Sequence, residues 1–361
     1  MLKPWKHEAF TTKWEQQRMR AAIPGALALG IAVLIGLALH NPAAGMIMAG
    51  GALSVGFGAF QTLGRSRTAP MFAAAIGTAL SAFMGSLLAE TSAGAVGALA
   101  LAGFLCGLLS ALGPGAGWIG LQCAIAAIIA SGFPGGVVTS GERALLILAG
   151  GVLQTIVVLV SRRVHVWFAN PMKEDPYTGA GAALRLLREN LRWSSEAFRH
   201  GVHLAITLAV AYGCERIFAL SNGYWVPMTA LLVLKPSAHQ TFGRGVGRVL
   251  GTLFGAGLAT FLASLLHPHA LALAGFVVLF AWLCYSLLEV NYGLFSACIT
   301  AYIAFLLAFT GQPTSHIALH RLANTALGGS LALLAYVPGF LHGRFVPKPI
   351  APAESEGPAA G

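Results

Sequence analysis

Charge is what this sequence lacks. Asp, Glu, Lys and Arg make up 9% of its 361 residues, while 57% are hydrophobic. A soluble domain covers its surface with about 25% charged residues, so a water-soluble globule is excluded. Enzyme signatures are missing too. There is no Gly-x-Ser-x-Gly elbow, no Gly-x-x-x-x-Gly-Lys phosphate loop and no His-Glu-x-x-His, and each of those spacings places specific chemistry at a turn or on one helix face. The five cysteines (Cys106, Cys123, Cys214, Cys284, Cys298) lie inside apolar runs and form no Cys-x-x-Cys pair, as expected for thiols that act as small core residues. No cofactor, no metal and no enzymatic activity are expected.

What is there is a succession of apolar runs, at about 21–39, 43–61, 69–89, 94–112, 117–133 and 143–161, and again at 200–219, 223–238, 245–266, 270–288, 292–310 and 320–341. A helix needs about 20 apolar residues to cross a bilayer, and only helices or closed barrels satisfy their backbone there. The runs are continuous rather than alternating, which excludes barrel strands. The expectation is an all-α polytopic membrane protein with about twelve transmembrane helices.

Cations set the orientation. With the N-terminus in the cytoplasm, 19 of the 22 Lys and Arg fall on the inward side and only Arg143, Arg216 and Arg321 on the outward side, which obeys the positive-inside rule with both termini cytoplasmic. The net charge of +10 therefore reflects topology rather than a nucleic-acid partner. Residues 1–20 read as a basic interfacial helix leading into the first span rather than a cleavable leader. Residues 162–199 form a cytoplasmic linker, with Leu184, Leu187 and Leu191 at helical spacing beside Arg185, Arg188 and Arg192, a pattern suited to an anionic membrane surface. The Pro-, Ala- and Glu-rich tail, 343–361, is expected to be disordered.

The halves repeat. Gln61-Thr62-Leu63-Gly64-Arg65 matches Gln240-Thr241-Phe242-Gly243-Arg244, and Arg143 falls on Arg321. Two tandem six-helix repeats, 1–161 and 200–342, with an even number of spans each, are expected to be parallel and related by an axis along the membrane normal. The second copy holds the distinctive residues: Trp225, Thr229, Lys235 and Arg248 stand where the first has Met46, Gly50, Gly56 and Ala69.

These residues compose the segment Asn222–Leu266. Pro227 and Pro236 bracket one span, and Tyr224 with Trp225 would lie at the outer interface, as an aromatic belt or, for Trp225 with Thr229 one turn on, as a pathway lining. Arg244 and Arg248 sit one turn apart with Lys235 nearby. They are either snorkelling anchors or a site for an anion, since arginine grips a carboxylate through two parallel hydrogen bonds. The Gly-Thr-x-x-Gly after Arg248 lets a second helix approach closely. Arg143 and Arg321 lie at the opposite face, and with Arg244 and Arg248 these four could mark the two mouths of an anion path; Arg65, the counterpart of Arg244, is counted with the pathway residues. His316 and His320, four apart, have no third ligand for a metal.

The runs YWVPMTALLVLKP and TFGRGVGRVLGTLFGAGLA, preceded by ALRLLRENLRWSSEAFRHGVHLA, resemble the fusaric acid resistance protein-like family of bacterial inner-membrane proteins, which includes aromatic carboxylic acid exporters and is similar to plant aluminium-activated malate channels. The resemblance implies an inner-membrane, proton-linked exporter of small, aromatic organic acids. A passive organic-anion channel and a non-transporting membrane scaffold are the alternatives. It implies a small organic anion and the lipid bilayer as partners, and leaves open a homo-oligomer and a periplasmic adaptor protein. Larger exporters of this group carry sizeable soluble domains that this chain lacks, which weakens the adaptor expectation.

Overall fold

The computed structural model describes residues 11–164, 179–309, 311 and 314–335. Residues 1–10 of the basic segment, residues 165–178 of the linker and the tail expected to be disordered lie outside these. Among the described residues the fold is all-helical, with thirteen α-helices and no strand beyond an isolated Leu63–Ser66 bridge. They are α1 (Met19–Ala38), α2 (Pro42–Gly56), α3 (Ala69–Leu88), α4 (Ser92–Leu109), α5 (Pro114–Ser131), α6 (Val137–Val164), α7 (Ala180–Asn190), α8 (Glu196–Ile217), α9 (Trp225–Val233), α10 (Ala238–Leu266), α11 (Ala270–Leu287), α12 (Tyr292–Ala308) and α13 (Thr314–Leu334).

Eight of these, α1 to α6 with α10 and α11, are long and apolar enough to cross a membrane, and α12 is a shorter apolar helix. Their faces are arranged for lipid. Ala, Gly, Ser and Thr fill the inside, while Leu27, Leu34, Phe72, Leu80, Leu101, Phe254 and Phe261 point outward and are exposed. Small residues let backbones approach where lipid offers no hydrophobic drive between helices. The chain is a multi-pass membrane protein.

Local chemistry sets the boundaries. Asn41 caps α2 by accepting from the Ala44 N–H, Thr91 caps α4 from Gly94, Ser237 caps α10 from Gln240, and Asn291 caps α12 from Gly293 and Leu294. Each cap satisfies donors that a helix start leaves unpaired. Pro42, Pro70 and Pro114 occupy first turns, where a missing N–H costs nothing.

Two departures from the sequence expectations matter. Residues 11–18 hold a single 3-10 turn, Trp14–Gln16, docked on the protein: Lys13 N–H donates to Val290 O, Asn291 donates to Thr11 O, and Arg18 pairs with Glu289. The described part of the segment expected to lie on lipid is thus tied to the α11–α12 turn. The run at 223–238 is not one spanning helix. It forms only the nine residues of α9, preceded by a turn and ended at Leu234, where the backbone is extended before Lys235 and Pro236. At about 1.5 Å per residue, α9 rises roughly 14 Å, too little to cross a bilayer alone. It can be short because it does not meet lipid: eight of its nine residues are buried among α5, α8, α10 and α13. The aromatic-belt reading of Tyr224 and Trp225 fails for the same reason. Both are buried, and Tyr224 packs on Phe133 with ring centroids 5.6 Å apart.

The helices pair in a regular order. In the first half α3 packs on α5 and α6, α2 on α6 and α1, and α4 on α5. In the second, α10 packs on α12 and α13, α9 on α13 and α8, and α11 on α12. Across the halves α4 packs on α8, and α11 packs on α1. Turn contacts gather at two ends. One holds residues 11–18, the 57–68 turn, Arg162 (bonded to Ala59 O, 2.8 Å) and the 288–291 turn. The other holds Ser86, Phe133, Arg143, Tyr224 and the 218–224 turn.

Candidate functional site

The site is assembled where α9, α10, α12 and α13 meet. On α13, Arg321, Thr325 and Gly328 recur at helical spacing and so share one face. Gly328 lets that face touch α9: a Cβ there would lie 2.4 Å from the Val226 carbonyl oxygen and 2.9 Å from Thr229 Cβ. On α9, Trp225 and Thr229 are one turn apart. The Arg321 guanidinium carbon stands 4.9 Å from the centre of the Trp225 ring.

A third wall comes from α10, whose Arg248, Thr252 and Gly255 also share a face. Gly251 and Gly255 set this helix against α12, since a Cβ on either would lie 2.4 Å from Gly293 O or 2.2 Å from Ala297 O. From α12, Ser296 Oγ donates to Arg248 O at 3.2 Å, and Thr300 Oγ1 accepts from Arg321 Nε at 3.4 Å. The Arg248 charge bears directly on that of Arg321. Arg248 lies ten residues into α10 and Arg321 seven into α13, roughly 15 Å and 10 Å from the helix starts. Both therefore lie well inside their helices, away from the ends.

Burial and pairing define the chemistry. Arg248 is 2% exposed and Arg321 1%. Arg248 Nε and Nη1 and both terminal nitrogens of Arg321 are buried without a hydrogen-bond partner, as are the hydroxyls of Thr229, Thr252 and Thr325. No carboxylate pairs with either arginine among the described residues. A buried cation normally has an acid to neutralise it, because an uncompensated buried charge costs several kcal/mol. Here two share one interior with their donors unspent, alongside neutral hydroxyls that can donate to an oxyanion.

The other sequence candidates fall elsewhere. Lys235 is part-buried in the turn between α9 and α10, its N–H donating to Thr241 Oγ1 at 2.9 Å. Arg244 lies over the Tyr292 ring at 4.5 Å, and its charge acts on Lys235. These two form a second, lower cluster on the side of the 288–291 turn. Arg65 is exposed and lines a separate cavity of about 730 Å³ with Leu63, Leu112, Ala116 and Ala183. Arg143 is engaged: it donates to Ser86 Oγ and to Phe133 O and stacks 5.7 Å over the Phe133 ring, which ties α6 to the ends of α3 and α5. The four arginines set at two mouths by the sequence are therefore placed differently. Arg248 and Arg321 come together in the interior, and Arg143 is held by its neighbours. No group of three or more His, Cys, Asp or Glu converges among the described residues, although the His316 and His320 rings are 5.2 Å apart.

Sequence reasoning did not single out Thr252, Thr300 or Thr325. For Thr252 and Thr325 a signal exists, since each sits four residues after its arginine. For Thr300 there is none, because only tertiary packing brings α12 to the site.

Residues 204–335 match the family model described as fusaric acid resistance protein-like, and the site lies wholly inside that stretch. Three curated relatives are themselves uncharacterized. One from Synechocystis is 30% identical over 149 residues, 41% of this chain and 20% of the relative. One from Haemophilus influenzae is 27% identical over 161 residues, 45% of this chain and 22% of the relative. One from Neisseria gonorrhoeae is 28% identical over 157 residues, 41% of this chain and 36% of the relative. The chain thus spans about a fifth of the length of the first two. No solved structure matches it.

Proposed function

We propose that this protein is a secondary transporter of small organic anions across the bacterial inner membrane, with Arg248 and Arg321 as the substrate site. The observation that carries the reading is the pair of buried guanidinium groups that no acid among the described residues pairs with, each with unpartnered nitrogens. A carboxylate would offset one of the two charges, screen their repulsion and take spare N–H groups as charge-assisted bonds. The match over 204–335 to the fusaric acid resistance protein-like family puts aromatic carboxylates first as substrates, with export the direction. Closure of the site from solvent favours a carrier that exposes it to each side in turn over an open channel.

The helix pairings support two six-helix repeats, with this site inside the second. The five pairings named for the first half each have a counterpart in the second, and the contacts between halves, α4 with α8 and α11 with α1, are reciprocal. Gly150 meets Met48 O as Gly328 meets Val226 O, both pairs displaced by one offset. A two-fold axis along the membrane normal would relate such halves. Lys235, in the turn beside Arg244, is the group we assign to proton linkage.

The test is flux of labelled benzoate from vesicles that hold the purified protein. Wild type is expected to release it and Arg248→Gln to fail, with both eluting as folded protein. Release by Arg248→Gln at the wild-type rate would remove the site, and no release by wild type would remove the function.

A further inference from the structure

We infer that the Arg248–Arg321 site is occupied by an anion at every stage of the cycle, so that the protein works as an anion exchanger and does not return empty. This rests on the transport reading above and adds what the returning carrier must hold.

Both guanidinium groups are buried, the Arg248 charge bears on Arg321, and neither has a carboxylate partner among the described residues. Two like charges in a low-dielectric interior repel strongly and keep almost none of their hydration. The surrounding groups relieve this little. The Trp225 ring takes one face of Arg321, Thr300 takes its Nε, and the hydroxyls of Thr229, Thr252 and Thr325 remain unpartnered. Hydroxyls can serve an anion by donating, and they can serve a guanidinium only by accepting. One small anion among them satisfies both arginines and several hydroxyls together. An empty site would carry the full repulsion through the closed state, and that state must be crossed in every reorientation. A loaded site crosses it with one charge offset and the repulsion between the two arginines screened. The barrier therefore falls on the empty return, the step that net flux requires and exchange does not.

The same reasoning makes the resident anion part of the folded protein's stability, because a ligand that binds only the native state stabilises it by mass action. The anion can be chloride or a carboxylate, since the chemistry shared is a compact negative charge that accepts hydrogen bonds.

Two measurements decide it. Vesicles containing the protein are loaded with labelled benzoate, with the membrane potential clamped by potassium and valinomycin. They are then diluted into medium with no small anion, with chloride or with unlabelled benzoate. Efflux is expected to be at least about tenfold faster into one or both anion-containing media, a barrier difference of about 1.4 kcal/mol. Acceleration by benzoate alone marks an organic-anion exchanger, and acceleration by chloride too marks a general one. Equal efflux into all three media overturns the inference and leaves the transporter reading standing. No efflux into any medium overturns both. In the second measurement, the unfolding temperature of purified protein is followed at constant ionic strength as chloride or benzoate replaces a bulky polyanion too large to enter. A rise in wild type that is lost in Arg321→Gln is expected, and no rise with either anion counts against a resident anion.

Discussion

The guanidinium of Arg321 lies over the ring of Trp225 at 4.9 Å, with each side chain 1% exposed. The indole face is negative, so it holds the cation where no acid does, and such a contact is worth about 2 kcal/mol when desolvated. Replacing Trp225 by Leu removes the quadrupole and loosens Arg321. Trp225→Leu is expected to weaken benzoate binding by about tenfold, the equivalent of 1.4 kcal/mol, and Trp225→Phe by less. Calorimetric titration of the purified variants reads this directly. Wild-type affinity in Trp225→Leu would mean that Arg321 is positioned without the ring.

Arg248 should trade stability against function. Taking away one of two uncompensated buried like charges relieves the fold, because a buried charge without a partner carries a desolvation penalty of several kcal/mol. Arg248→Gln is expected to melt at a higher temperature than wild type in anion-poor buffer and to lose transport. Arg248→Lys keeps the charge without the planar fork and should transport poorly without gaining stability. A lower melting temperature for Arg248→Gln would show that this arginine has a partner that stabilises it.

The close approach of α13 to α9 gives a sharper stability test. Adding a methyl at Gly328 puts it 2.4 Å from the Val226 carbonyl, whereas nothing lies within 4 Å of the same atom at Gly329. Overpacking of this kind costs about 1–3 kcal/mol, against a helix-propensity gain of about 1 kcal/mol for Gly to Ala. Gly328→Ala is expected to lower the melting temperature and impair transport, and Gly329→Ala to leave both unchanged or raise the first. Equal behaviour of the two variants would show that α9 moves aside freely.

Much of this architecture was legible because it depends on composition along the chain. Apolar runs, proline and glycine punctuation and Asn or Ser caps are local, and they located nearly every helix. The exception was α9. A run of apolar residues reports that lipid or protein surrounds a segment, and it cannot report which. The candidate site was legible residue by residue at Trp225, Thr229 and Arg248, but not as a cluster. Arg143 and Arg321 align in the two halves, yet one bonds to Ser86 and Phe133 and the other turns inward to Trp225. That difference is set by the partners, which sit on other helices far along the chain.

The proton linkage assigned to Lys235 yields a pH dependence with a definite sign. Lys235 occupies the turn between α9 and α10. Burial, then the Arg244 charge, push its ammonium down to about 7 from an ordinary 10.5, opposed by Cys106. The groups that face it are Arg244 from α10, Cys106 from α4 and His200 from α8. Below about pH 7 the side chain is a cation at the inner side of the site, and above it is neutral. In the unfolded chain it stays protonated up to about 10.5, so between 7 and 10.5 the unfolded state binds more protons and stability rises with pH. The destabilisation is therefore complete below pH 7 and fades as pH climbs through that window. Wild type is expected to gain melting temperature between pH 7 and 9, and Lys235→Met to lose that part of the slope. Transport should run the other way, because a cation that guides an organic anion is lost as pH rises. Benzoate flux is expected to fall several-fold from pH 6 to pH 8 in wild type and to stay flat in Lys235→Arg, whose guanidinium remains charged throughout. A pH profile in Lys235→Arg that matches wild type would move the proton linkage to another group.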